Sequence, residues 1–365
     1  MSAGPITSAG DHFLIGLEPS PELTDHDRTL LSELRPAGVI LFKSNFRHGL
    51  PYREWLESHA RLIADVRAAA RREQMFIAID HEGGRVCRTP KPLTRFAAAA
   101  RWAARPAGVG RAMGRELASL GINLSFAPVL DIHTNPENPV IGERAFGQTA
   151  EAVIRAALPF MAALESEGVI ACGKHFPGHG DTSVDSHFGL PSQPTRIEAL
   201  RARELKPFAA AIGAGIGMLM TGHILYPEID PRQPATLSRR FLTGILREEL
   251  GFEGVVVSDD IGMGAVNSFF ESPQAAVRMI GAGCDMIMIC AHFMDTARAK
   301  DFASRLLDGV DEGRLHPEAI ERSRARIHRL LSRAATHEIT QLPESVLRAH
   351  GAAAPLFGSE TAEIV

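Results

Sequence analysis

The chain has 365 residues, 45% hydrophobic and 22% charged, with a net charge of −4 at pH 7. That is ample apolar sequence for a large core, and the lack of a basic block argues against nucleic acid as a partner. No apolar run approaches the roughly 18 residues of a membrane span, and the N-terminus has neither the basic nor the apolar region of a secretion signal. A cytoplasmic protein with no membrane partner is the expectation.

Eight short apolar runs recur, at residues 13–17, 38–42, 75–80, 122–130, 169–175, 218–223, 255–259 and 285–290. Each suits a strand buried on both faces. Between them, apolar residues fall at helical spacing over 151–167, 197–212, 239–250, 273–280, 294–307 and 317–333. Ser238 and Ser272 stand where N-caps belong, Gly251 just past a helix end, and Pro317 in a first turn. Strands alternating with helices predict an α/β fold. A count of eight favours a single-domain (β/α)8 TIM-type barrel over 1–335 rather than a doubly wound open sheet. Residues 336–365 have weak periodicity and read as a partly ordered C-terminal tail. Cys87, Cys172, Cys284 and Cys290 form no CxxC pair and read as reduced, mostly buried thiols. Only two Trp and two Tyr are present, so no aromatic platform for a polysaccharide is expected.

Several runs end in or beside a polar residue: Lys43, Asp80, Asp131, His175, His223 and Asp259. In a barrel these ends converge on one rim, where active sites lie. The segment 174–191, KHFPGHGDTSVDSHFGLP, follows the fifth run and is too polar to bury as core. Asp185 and His187 are two apart, so in extended chain they face the same way. A carboxylate beside an imidazole favours the charged ring and fixes its orientation, which suits a group that donates a proton and retrieves it. The residues His175, His179, Asp181, Asp185 and His187 could instead ligate a divalent metal. Against that, the histidines share one loop, and there is neither an HxH on a strand nor an HExxH. No metal or other cofactor is expected. Gly178, Gly180 and Gly189 would let the loop move over a substrate.

Three further stretches bear on the rim. VVVSDD (255–260) places two carboxylates at a strand end. Adjacent side chains point apart, so Asp259 is expected to face the mouth and Asp260 to cap the following helix. IDHEGGRVCR (79–88) is a strand running into a Gly-Gly turn whose charges could grip hydroxyl groups or merely be solvated. NPVIGERAFG (138–147) adds Arg144, for which a structural salt bridge is the alternative.

Together KHFPGHGDTSVDSHFGLP, IDHEGGRVCR, NPVIGERAFG and VVVSDD resemble the family 3 glycoside hydrolases. The likeness is greatest to single-domain bacterial β-N-acetylglucosaminidases of peptidoglycan recycling, and it spans about residues 10–335. The resemblance implies a (β/α)8 barrel, Asp259 as nucleophile, and His187 as acid/base assisted by Asp185. It implies sugar contacts at Asp80, Arg88, Arg144, Lys174 and His175. It further implies a muropeptide or anhydro-disaccharide as substrate and retaining hydrolysis through a glycosyl ester. A phosphorylase, a family 3 glycosidase of other specificity, a metal-dependent barrel hydrolase and a non-catalytic sugar sensor are the alternatives. A monomer is expected. Relatives commonly continue the nucleophile motif as SDDLSM, where this chain has Ile261, Gly262 and Met263, and Gln is frequent at the position of His81.

Overall fold

The computed structural model describes residues 9–184 and 189–353. All eight apolar runs contain a strand of one closed barrel. They are β1 (Phe13–Gly16), β2 (Gly38–Leu41), β3 (Phe76–Ile79), β4 (Leu124–Ser125), β5 (Ile170–Phe176), β6 (Met218–Thr221), β9 (Val255–Asp260) and β10 (Met286–Cys290). Every neighbouring pair is parallel, and β10 closes on β1 with Phe13 beside Ile287 and Gly16 beside Cys290. The two remaining strands, β7 (Leu225–Tyr226) and β8 (Asp230–Pro234), form a small antiparallel hairpin inserted after β6.

Period-two alternation sorts the strand residues into two layers. Leu14, Ile40, Ala78, Cys172, Met218, Met220, Val255, Val257, Met286 and Met288 fill the barrel. Ile15, Val39, Ile77, Ala171, Leu219, Val256 and Ile287 face outward into the layer of helices. The barrel is thus a packed core rather than a pore. Its lower end is closed by the helix Pro317–Leu331, which sends Ile327, Leu330 and Leu331 into the interior cluster.

The helical expectations hold in outline, with informative differences. The stretch 197–212 is split into Ile197–Ala202 and Leu205–Gly213. Pro207 has no N–H to offer the carbonyl of Arg203, and it sits in the first turn of the restarted helix, where no helical partner needs that N–H. The segment Arg240–Glu249 is wound as a π-helix. The helices Asp25–Leu34, Tyr52–Ala70 and Pro106–Ala118 complete the outer layer. Beyond residue 335 the chain crosses the lower end of the barrel, where His337 meets the Gly168 carbonyl at 3.0 Å. It then forms the helix Glu344–Ala353, whose His350 lies 2.8 Å from the buried carboxylate of Glu116. Residues 354–365 lie outside the described residues. Among the described residues, no helix is long and apolar enough to cross a membrane.

Candidate active site

The parallel strands bring the expected rim residues to one mouth. At the end of β5, Lys174 is 3% exposed and reaches both Asp80 (2.5 Å) and Glu82 (2.6 Å) from the end of β3. Glu82 also takes a bidentate pair of bonds from Arg144, at 2.8 Å each. The four side chains form one ion chain, Asp80–Lys174–Glu82–Arg144. Burial works against the Glu82 carboxylate, but the charges of Arg144 and Lys174 overcome it and hold Glu82 far below the usual carboxylate range. The same carboxylates raise the Lys174 ammonium against its own burial. The four charges balance, so removing any one member would leave the cluster with an uncompensated net charge. Arg144 is therefore both a rim residue and half of a buried ion pair. Glu82, its partner, was not among the expected site residues. The signal for it was its position two residues after Asp80, on the same side of the extended chain.

A second group surrounds His175. Its Nδ1 lies 2.6 Å from Asp131 Oδ2, and its backbone N–H also donates to that carboxylate. The other Asp131 oxygen accepts the His179 N–H at 2.6 Å. Asp131 is thus fully committed, and it fixes the His175 ring with Nδ1 turned inward. His179 in turn pairs its Nδ1 with Thr182 (2.7 Å), and burial lowers its pKa to about 4. Asp181 accepts from Thr134 (3.1 Å) and Arg203 (2.8 Å). His179 and Asp181 thereby tie the loop to the barrel.

Two glycines of this loop are tightly packed. A Cβ on Gly180 would stand 1.7 Å from the Ile132 carbonyl oxygen, and one on Gly178, where φ is +135°, 3.0 Å from Glu204. These two let the loop lie against its neighbours.

At the end of β9, Asp259 and Asp260 part ways as alternation requires. Asp259 keeps partial exposure toward the mouth, and its Oδ1 accepts the Asp260 N–H at 2.8 Å. Burial disfavours its charge, yet His175, His223, that N–H and Lys174 together hold it below the ordinary value. Asp260 points away. Its Oδ1 accepts from Gly262 (2.9 Å) and from Cys290 (3.3 Å) on β10, so it braces a turn and ties two strands rather than capping a helix. Its Oδ2 is buried with no partner, and burial raises its pKa to about 7. His223 is buried behind the pair, with Nδ1 at Thr236 (2.8 Å) and Nε2 at the Asp260 carbonyl (3.1 Å). Two neighbouring carboxylates are therefore driven in opposite directions, Asp259 toward the charged form and Asp260 toward the neutral one. Such divergence marks catalytic carboxylates elsewhere.

Arg88 is half-buried beside this mouth, and its Nε is buried without a hydrogen-bond partner among the described residues. Lys43 is exposed in a short turn after β2. Asp185 and His187 lie outside the described residues. A cavity of about 310 Å³ lies at the opposite, lower end of the barrel beside Arg326, Arg329 and Arg333, away from all these groups.

A parallel eight-stranded barrel with an ionised carboxylate at one strand end, facing a bonded cluster of carboxylates and cations on others, has the layout of a glycoside hydrolase. The Glycosyl hydrolase family 3 N terminal domain matches residues 15–330, and the chain belongs to that family. It is 40% identical over 291 residues to a beta-hexosaminidase of Alkalilimnicola ehrlichii, spanning 77% of this chain and 80% of that protein. Its fold is similar to that of a family 3 beta-N-acetylglucosaminidase from Paenibacillus sp. str. FPU-7, with a TM-score of 0.86 and 35% identity over 95% of this chain and 67% of that one. It is also similar to NagZ from Neisseria gonorrhoeae in complex with N-trifluoroacetyl-D-glucosamine, with a TM-score of 0.69 and 30% identity over 89% and 98% of the two chains.

Proposed function

We propose that the chain is a retaining β-N-acetylhexosaminidase that releases non-reducing terminal N-acetylglucosamine from peptidoglycan fragments in the cytoplasm. The observation that carries this reading is the placement of Asp259. It is an ionised, partly accessible carboxylate at the mouth, within electrostatic reach of Lys174 and His175. The beta-hexosaminidase relatives support the hexosamine part of the reading, as does the N-acylated glucosamine bound by the Neisseria protein.

In the mechanism, Asp259 attacks the anomeric carbon and forms a glycosyl ester as the bond to the leaving oxygen breaks. His187, protonated and paired with Asp185, gives its proton to that oxygen. Water then attacks the ester while His187, now neutral, takes a proton back, and Asp259 is released as carboxylate. The roles of Asp185 and His187 rest on their spacing and on the family likeness. Asp80, Lys174, His175, Arg144 and Arg88 are proposed to hold the hydroxyl groups. The ion chain through Glu82 keeps Lys174 and Arg144 from wandering, so little ordering remains to be done when sugar binds.

The test is a panel of aryl glycosides (N-acetylglucosaminide, glucoside, xyloside) assayed with and without phosphate. The N-acetylglucosaminide should be cleaved fastest, with no dependence on phosphate. His187→Ala should slow turnover about a hundred- to ten-thousandfold while the fold persists. A faster glucoside, a requirement for phosphate, or unchanged turnover in His187→Ala would each contradict the corresponding part.

A further inference from the structure

The rim has two halves. Barrel strands β3, β4, β5, β6 and β9 end in or lead to Asp80, Asp131, Lys174 with His175, His223 and Asp259. Strands β10 and β1 end in Cys290 and Gly16, and Phe42 follows β2, with the exposed Lys43 beyond it. Phe42 continues the inward-facing series of β2 and packs on the barrel-interior cluster. His292, two residues past β10, stacks on it with ring centroids 4.4 Å apart and planes at 30°. The stack reaches across the end of β1. Gly16 permits this close spacing, since a Cβ there would stand 2.8 Å from Cys290 Cα. Phe293, 47% exposed, extends the apolar edge. It is pressed against the turn that follows Asp259, for a Cβ on Gly262 would meet Phe293 Cβ at 2.8 Å. The apolar arc therefore abuts the strand that carries Asp259.

Two features say what would lie there. The arc is at the outer lip, with His292 and Phe293 exposed, whereas Lys174 and Glu82 are buried deep in the mouth. A sugar whose hydroxyls are held by the deep cluster directs the group beyond its anomeric carbon outward, toward this lip. Burial and then the nearby Arg88 charge lower the His292 pKa, so its ring is neutral at pH 7 and offers a π face. Pyranose rings present C–H edges that pack against such faces.

We infer that the Phe42–His292 stack, with Phe293 beside it, is the seat of the leaving-group ring, and that it selects substrates whose scissile bond joins the aminosugar to a second ring. This rests on the hydrolase reading and deepens it. Phe42 and His292 are specificity residues for the outer ring, and take no part in breaking the bond. The aromatic surface is built from Phe and His, which is why a count of Trp and Tyr did not disclose it.

The test compares two N-acetyl-β-glucosaminides whose leaving alcohols are of similar acidity: diacetylchitobiose, which has an outer ring, and the trifluoroethyl glycoside, which has none. His292→Ala alters an exposed side chain, and Phe42→Leu keeps the apolar volume at the barrel top. In both variants, kcat/KM for chitobiose should fall about five- to tenfold, mainly through KM, the size expected for one lost stacking contact. Turnover of the trifluoroethyl glycoside should stay within about twofold of wild type. His292→Phe should restore the chitobiose value. An equal loss on both substrates would place the stack on the aminosugar or its acetamido methyl, and no loss on either would leave it without a role in binding; each overturns the inference. Failure of the wild-type protein to cleave either substrate would overturn the hydrolase reading itself, and the assignment with it.

Discussion

Asp259 and Asp260 are covalent neighbours, yet one is held ionised and the other is driven toward neutrality at about pH 7. Strand alternation accounts for the split. One side chain turns to the mouth and its cations, while the other turns into the protein, where Oδ2 has no partner. The raised value has a consequence for stability. Well below the ordinary carboxylate value, Asp260 is protonated in both folded and unfolded chains. Above it, up to about pH 7, only the folded chain keeps the proton, so unfolding becomes easier as pH rises through this window. Asp260→Asn keeps an acceptor for Gly262 and Cys290 but cannot titrate. The difference in Tm between variant and wild type should therefore move in the variant's favour as pH is raised from about 4 to about 8. A constant difference across that range would show that Asp260 does not carry this proton. Strand-end position alone singled out Asp259 and His175, whereas Lys174 entered only through the family resemblance. Glu82 escaped because a Gly-Gly turn reads as solvated. Only the fold shows that Lys174 and Arg144, both distant in the chain, converge on it.

At the scale of elements, the strands were more legible than their lengths. All eight apolar runs join the barrel, but the run 122–130 contributes regular strand only at Leu124–Ser125. The chain stays extended beyond it, and Leu130 still donates to the Lys174 carbonyl at 2.7 Å. Pro128 has no N–H for a ladder, so the pairing is interrupted where an apolar count could not show it. The hairpin of β7 and β8 was invisible for a different reason. Its strands are short, and prolines at Pro231 and Pro234 remove the usual strand signal. In the loop after β5 the sequence did not show how tightly Gly178 and Gly180 pack against their neighbours. Because Gly180 lies against the Ile132 carbonyl, Gly180→Ala cannot be absorbed without moving the loop that carries His179. This variant should remain folded by circular dichroism but lose most of its turnover, with a lowered Tm. Wild-type activity in Gly180→Ala would mean that the loop has more freedom than its packing implies.

For the whole molecule, the barrel divides labour between its two ends. The upper end carries the charges and the aromatic arc. The lower end is closed by the helix Pro317–Leu331 and crossed by the segment after residue 335. Leu342 and Leu347 of that segment join the main core, and Tyr52 Oη accepts the Leu342 N–H at 3.2 Å. The weak periodicity of 336–365 concealed this, since a strap held by two leucines, two histidines and a few backbone bonds has no repeating pattern to read. Ending the chain after residue 335 removes two buried leucines, a loss of about 3 to 6 kcal/mol. Denaturant unfolding should show that loss, while kcat/KM for an aryl N-acetylglucosaminide at 25 °C should be unchanged, because among the described residues the strap bonds to Gly168, Ser119, Tyr52 and Glu116 and not to the residues of the mouth. An unaltered unfolding midpoint would show that the strap contributes no stability, and a loss of activity in the folded variant would link the two ends.

The central claim is that Asp259 forms a bond to sugar. The most direct measurement is the intact mass of the protein after treatment with a fluorinated N-acetylglucosaminyl fluoride, followed by peptide mapping. The account predicts one added sugar per chain, carried by the peptide containing Asp259 and absent from Asp259→Asn. An adduct on any other residue, or full turnover without any adduct together with an active Asp259→Asn protein, would contradict it.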